Sequence, residues 1–365
     1  MEFIDTKASP EYALQCIKWC IENLESKALE EHLKLHKHLL KAELVSLLLD
    51  VFAKGKVQCM KLMLSAMDQD IRIANRQKDN VYLLHKLLCS AVKIGDNDIV
   101  KDLIDKGANV NGLFNGKPIL HLAASYGFTD VAAYLVKAGA DIHSVDKRGD
   151  NVIHSIISSK LTNKADTIRR VVSIGANPLV KSSAGRLPIH LAAKDAPEVL
   201  VELIRDGLDV NVPDDINSDT PLHIACSAAC RETILTLIQS GSRFNAENLK
   251  GLTPLAKLLQ YTHNDHDFHT KTRLSIAKEL TSIGFRMCHP RRKQTSHSSC
   301  SRRDKSYDRY HAIKLSLKSP PRLQSITRLT IRESLTHGRY VQKEIDNLEL
   351  PFHLKSFIMF KDMRF

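Results

Sequence analysis

The chain has 365 residues, of which 43% are hydrophobic, so it can bury a core, and length alone would suggest about two domains. Its 8 cysteines are scattered rather than framed for disulfides, which suits a reducing compartment. The net charge of +12 is uneven: residues 288 to 322 hold ten Lys/Arg against Asp304 and Asp308, a net of +8, so a general nucleic-acid surface is not expected.

Met1-Glu2-Phe3-Ile4-Asp5 is acidic and lacks the apolar stretch that export requires. Ser9-Pro10-Glu11 starts a helix that sets Ala13, Leu14, Ile17, Cys20, Ile21 and Leu24 on one stripe. Next, Leu44, Leu47, Leu48 and Val51 share a stripe, Gly55 marks a turn, and Met60, Leu62, Met63 and Leu64 form a second apolar cluster. The longest apolar run, Leu44 to Ala53, is broken by Ser46 and Asp50 and cannot span a bilayer. The expectation is a soluble protein.

From residue 80 onward the sequence repeats itself. Gly107-Ala108-Asn109, Gly139-Ala140-Asp141, Gly175-Ala176-Asn177 and Gly207-Leu208-Asp209 share one phrase. A second phrase recurs in step: Leu120-His121-Leu122-Ala123, Ile189-His190-Leu191-Ala192 and Leu222-His223-Ile224-Ala225. Its histidines fall at His85, His121, His154, His190 and His223, a period near 33 residues that marks a solenoid. Pro at the first helical turn lacks an N–H that would be unsatisfied there, and Thr220 or Thr253 before it can cap. Glycines 107, 139, 175, 207, 241 and 284 supply the left-handed stop of each second helix. A catalytic group is not normally copied once per repeat, so the five histidines are read as bonding backbone between neighbours.

These phrases resemble the ankyrin repeat, with six units between residues 80 and 287 and a degenerate unit over Leu44 to Ile73. An end repeat needs its face covered, which makes the first helices a cap. Two stretches exceed the repeat: Leu161 to Asp166, and Thr262 to Thr270 with His263, His266 and His269. Those insertions are where target specificity is sought first. Neither these histidines nor Cys288, His289, His297 and Cys300 match a closed metal module, and no metal or cofactor is expected.

Residues 288 to 320 read as a basic, Ser-rich linker ending at Ser319-Pro320. Beyond it Leu323, Ile326, Leu329, Ile331 and Leu335 recur at helical spacing, followed by Gly338 and then Leu348-Glu349-Leu350-Pro351-Phe352-His353-Leu354-Lys355. This tail resembles a SOCS box, and with the repeats the chain resembles the ankyrin-repeat and SOCS-box family. The resemblance implies that Leu323, Ile326, Thr327 and Ile331 meet Elongin C, and that Leu348, Leu350, Pro351 and Leu354 select a cullin-5 type scaffold. Three positions depart from the family: Thr327 stands for its cysteine, Glu349 for its first proline, and Arg322 where it has Ser, Thr or Pro.

The expected fold is therefore all-α: an N-terminal helical cap (1–43), ankyrin repeats (44–287), the basic linker (288–320) and a three-helix SOCS-box-like segment (321–365). The implied function is the substrate-recognition subunit of an Elongin B/C–cullin–RING ubiquitin ligase, cytoplasmic and itself no enzyme. A plain ankyrin interaction scaffold is the alternative. Arg291-Arg292-Lys293 and Arg302-Arg303 leave nuclear import open. The repeats would hold the target on loop tips and first helices, where Phe114, Asp146, Arg148, Arg186, Asp214, Asp215 and Arg243 fall. Asn111 and Asn211, each eight residues after a leucine, resemble the pattern that an asparaginyl hydroxylase modifies in ankyrin repeats.

Overall fold

The computed structural model describes residues 9–36, 41–66, 81–260 and 268–285. The chain divides into two compact units: residues 1–147 with 159–163 and 170–176, and residues 148–158 with 164–169 and 177–365. Apart from one two-stranded hairpin, every regular element among the described residues is a helix. The linker and the tail, with all the residues assigned there to Elongin C and the cullin, lie outside the described residues.

In the first unit α1 (Pro10–Asn23) and α2 (Ser26–His36) pack on each other, with α1 against α3 (Lys41–Ala53) and α2 against α4 (Val57–Ala66). Ala13, Ile17, Cys20 and Ile21 of the expected stripe are buried, but Leu24 is exposed. The helix has already ended there: Leu24 turns left-handed at φ 60°, which lets the Glu25 N–H reach the Cys20 carbonyl at 3.0 Å. Lys56 Nζ donates to the Ile21 and Glu22 carbonyls at 2.7 and 3.1 Å, placing a cation on the negative end of α1. Helix α5 (Val81–Ile94) stacks between α3 and α7 (Ile119–Ser125), while α6 (Asn97–Asp105) lies against α8 (Thr129–Lys137). Each first helix thus packs both on the second helix of its own repeat and on the first helix of the next.

The second unit repeats the scheme. Helix α9 (Val152–Ile157) packs on α11 (Pro188–Asp195), α11 on α13 (Pro221–Ala228), and α13 on α15 (Pro254–Leu259). Their partners are α12 (Pro197–Arg205), α14 (Arg231–Gln239) and α16 (Phe268–Ile283); α10 (Lys164–Ser173) contributes residues to both units. Pro188, Pro221 and Pro254 occupy the first helical turn as expected, and Thr253 Oγ1 accepts the Ala256 N–H at 3.4 Å. The first insertion is shorter than the sequence reading made it, since Lys164 to Asp166 already form the first turn of α10. Of the second, Phe268 to Thr270 belong to α16, and Thr262 to Asp267, with His263 and His266, lie outside the described residues. Leu161 is half-buried, its Cδ2 3.0 Å from where a side chain on Gly127 would begin.

Each letter of the recurring phrase has a physical task. Gly107, Gly139, Gly175, Gly207, Gly241 and Gly284 all have φ between 92° and 113°, a region closed to other side chains without strain. The next residue closes the helix end with its N–H: Ala108 to Leu103, Ala140 to Leu135 and Ala176 to Val171 at 3.0, 2.9 and 3.1 Å. Its side chain is buried whether it is alanine, as at 108, 140 and 176, or the larger Leu208 and Phe285. The Asn or Asp that follows accepts from two residues on, as Asn109 does from Asn111 at 3.0 Å and Asp209 from Asn211 at 2.8 Å. A side chain at residue 139 would touch nothing, so Gly139→Ala should cost only backbone strain, about 1–2 kcal/mol. Gly95→Ala would in addition meet the Phe128 ring at 2.5 Å and should lose clearly more in urea unfolding. Equal losses would refute this division between strain and clash.

Candidate functional site

Helix pairs leave their polar surface in the loops between repeats, and the structure organises those loops from within. In the first unit Leu113–Phe114 pairs with Lys117–Pro118 across Asn115 and Gly116, whose φ of 51° and 77° form a tight hairpin turn. The Lys93 ammonium lies 3.9 Å from the Phe114 ring centroid, so this half-buried ring is already engaged, while Leu113 is exposed.

In the second unit two loops share one frame. Ser182 N–H bonds Arg186 O at 2.9 Å, Asn248 N–H bonds Leu252 O at 3.1 Å, and Gly185 and Gly251 sit between at positive φ. The intervening loop is one residue longer, closing from Asp214 N–H to Asp219 O at 2.9 Å. Ser218 takes the left-handed place there with φ 52°. Asp214 holds it: Oδ1 accepts the N–H groups of Asn217 and Asp219 at 2.9 and 3.1 Å, and Oδ2 accepts Arg186 Nε at 3.3 Å. Burial alone would raise this carboxyl; those donors overcome it and keep it below the usual carboxylate range. Asp219 is equally buried, receiving Asn248 Nδ2 at 2.7 Å and Lys257 Nζ at 2.8 Å.

The five histidines each bond the backbone of the following loop, as the sequence implied. Their Nε2 atoms lie 2.8, 3.1, 3.0, 3.0 and 2.9 Å from the carbonyls of Leu113, Ser144, Arg186, Val212 and Leu252. In His190 and His223 Nδ1 accepts the N–H of Leu187 and of Thr220, both at 3.1 Å, so Nε2 carries the proton and donates. Only the neutral ring satisfies both bonds. Burial, the largest influence, holds both rings below the ordinary value of 6.5. The unfolded chain therefore binds more protons once pH falls below about 6.5, and folded stability declines from there downward, with no contribution above it. Thermal midpoints should drop between pH 7 and pH 5, and a His190→Gln, His223→Gln double variant should flatten that drop. An unchanged slope in the variant would refute the assignment. Burial likewise pushes the Cys89 thiol up to about 11 and raises that of Cys226, so neither of these two is a reactive thiolate.

The structure distributes the residues expected to touch a target as follows. Asp146 and Asp214 are buried rather than on the surface, Asp214 because the N–H groups of its loop need an acceptor inside the turn. Arg148 pairs with Asp150 at 2.9 Å, Arg186 with Asp214, and Asp215 with Lys181 at 2.7 Å. Arg243 is exposed, its N–H bonded to Asn211 Oδ1 at 2.7 Å. Asn111 and Asn211 hold the same position in their turns, each bridging to the next: Asn111 donates to Gly139 O at 3.0 Å and accepts from Asp141 N–H at 2.9 Å. Sequence reasoning missed the exposed aliphatics Leu113, Val145, Leu179, Ile216 and Leu249. Their signal was an apolar residue between two repeat phrases, where no helix stripe demands one. No helix among the described residues is long and apolar enough to cross a membrane.

Comparison with known proteins agrees with this geometry. The family of ankyrin repeats matches three times, over residues 47–146, 88–182 and 153–248, and the SOCS box matches residues 319–359. An L-asparaginase of Dirofilaria immitis is 29% identical over 174 residues, 47% of this chain and 28% of that protein. Neurogenic locus notch homolog protein 1 of Mus musculus is 30% identical over 160 residues, 43% of this chain and 6% of that protein. Human palmitoyltransferase ZDHHC13 is 31% identical over 188 residues, 50% of this chain and 29% of that protein. The chain thus spans less than a third of each of these relatives, and none of their named activities passes to it through a shared repeat region. Repeats over more than half its length, followed by that C-terminal box, make this chain a member of the ankyrin-repeat and SOCS-box family.

Proposed function

We propose that the chain is the target-recognition subunit of an Elongin B/C–cullin–RING ubiquitin ligase. An ankyrin interaction adaptor with a ligase-linked SOCS box is what the family assignment supplies; Elongin B/C, the cullin-5 type and a bound target are the added steps. One observation carries them: the box occupies residues 319–359, C-terminal to a stack of repeats. The adaptor makes and breaks no bonds. It raises the effective concentration of target lysines near a charged ubiquitin-conjugating enzyme, which converts a bimolecular encounter into a local one.

In this reading residues 1–43 cap the repeats of 44–287, residues 288–320 form the spacer, and 321–365 dock the ligase. Leu323, Ile326, Thr327 and Ile331 would enter Elongin C, and Leu348, Leu350, Pro351 and Leu354 would choose the cullin. Asn111 and Asn211 are candidate hydroxylation positions, which intact-mass analysis would reveal as one added oxygen on either peptide. The full chain, expressed with Elongin B, Elongin C and cullin 5, should co-purify with all three. Recovery of none of them would end the proposal.

A further inference from the structure

Single exposed aliphatic side chains are ordinary on a protein surface. In the second unit, however, three of the largest occur on consecutive, bonded loops. Leu179 is 61% exposed, Ile216 55% and Leu249 71%. The Leu249 N–H donates to Asn217 O at 2.8 Å, and Lys181 Nζ meets Asp215 Oδ1 at 2.7 Å, so the three loops run side by side. Ile216 stands in the lengthened loop, beside Ser218 at φ 52°. A non-glycine residue held there is strain that the surroundings must impose. The buried Asp214 carboxylate imposes it through two N–H bonds and its pair with Arg186. A rigid loop that presents isoleucine outward loses little freedom on binding.

The charges nearby decide what the strip accepts. Lys181 is matched by Asp215, Arg186 by Asp214 and Lys257 by Asp219, and the exposed Glu247 and Lys250 flank Leu249 with opposite signs. With the local cations and anions neutralising one another, neither an acidic nor a basic ligand gains from them. We propose that Leu179, Ile216 and Leu249 form the docking strip for an uncharged segment of the target that carries paired aliphatic side chains, with Ile216 and Leu249 as its anchors. This rests on the reading that the repeats hold a target protein.

The test uses the full chain and synthetic peptides of equal length, in which two leucines, two glutamates or two lysines stand among Ser and Gly. Fluorescence anisotropy should detect binding of the leucine peptide alone. Ile216→Ser and Leu249→Ser should each weaken it about tenfold, with the thermal midpoint unchanged. Preference for the charged peptides, no binding by any peptide, or leucine-peptide binding untouched by both substitutions would overturn the proposal. So would a dimer in analytical ultracentrifugation that both substitutions dissolve, because the strip would then serve a second copy. No Elongin enters this assay, so a failure here is distinct from a failure of ligase docking.

Discussion

Leu323→Ala is expected to abolish co-purification of Elongin B and Elongin C while the thermal midpoint of the repeats stays where it was. If the family's arrangement holds, Leu323 is the apolar knob that fills Elongin C's pocket. Truncating such an anchor typically removes 2 kcal/mol or more, roughly a 30-fold loss of affinity or greater. A rim contact would lose far less. Unchanged recovery of both Elongins would remove the ligase reading. Thr327 bears on the same test, because its hydroxyl replaces the family's cysteine and needs an acceptor wherever it is buried. The cullin side is independent: Glu349 replaces a proline there, so loss of cullin 5 with retention of both Elongins would locate the defect at Leu348 to Leu354.

Lys257→Met should be among the most destabilising single changes in the second unit. The Lys257 and Asp219 side chains are 12% and 4% exposed, and their ion pair spans 2.8 Å. Removing the lysine strands a buried carboxylate, a change that costs about 3–5 kcal/mol. For a chain of this class that corresponds to roughly 10 °C in midpoint. Adding Asp219→Asn should restore part of the loss: the charge is gone, and the amide oxygen still accepts from Asn248. Because repeat arrays need not melt in one step, hydrogen exchange across α13 and α15 should accompany the melting curve. Strictly additive losses in the double variant would mean the pair is not coupled.

Much of the fold was legible because repetition writes each structural need several times. The glycine of the phrase stops a helix, the alanine closes its end, the Asn or Asp supports the turn, and the histidine bonds the next loop. Each task is local or reaches only one repeat onward, so spacing alone exposes it. Leu24 shows the limit. It fits the helical stripe by spacing, yet the chain has turned left-handed by that residue and points it to solvent.

The candidate binding loops were legible in place but not in content. Asp214 and Asp215 are neighbours of one type, yet one is an interior support and the other a surface partner of Lys181. Phe114 could be read from the sequence either as a target contact or as a core-facing staple, and it lies under Lys93. The insertion at Leu161 folds back onto Gly127.

By itself the sequence determined the solenoid class, the helix stops and the linking histidines, which are properties of a period, and the family, to which the C-terminal motif was also needed. Only the tertiary structure decided which charges are neutralised, which loop is lengthened and held, and which aliphatics remain uncovered. Those outcomes depend on which side chains meet across loops some thirty residues apart, and pairing at that range leaves no mark in local spacing.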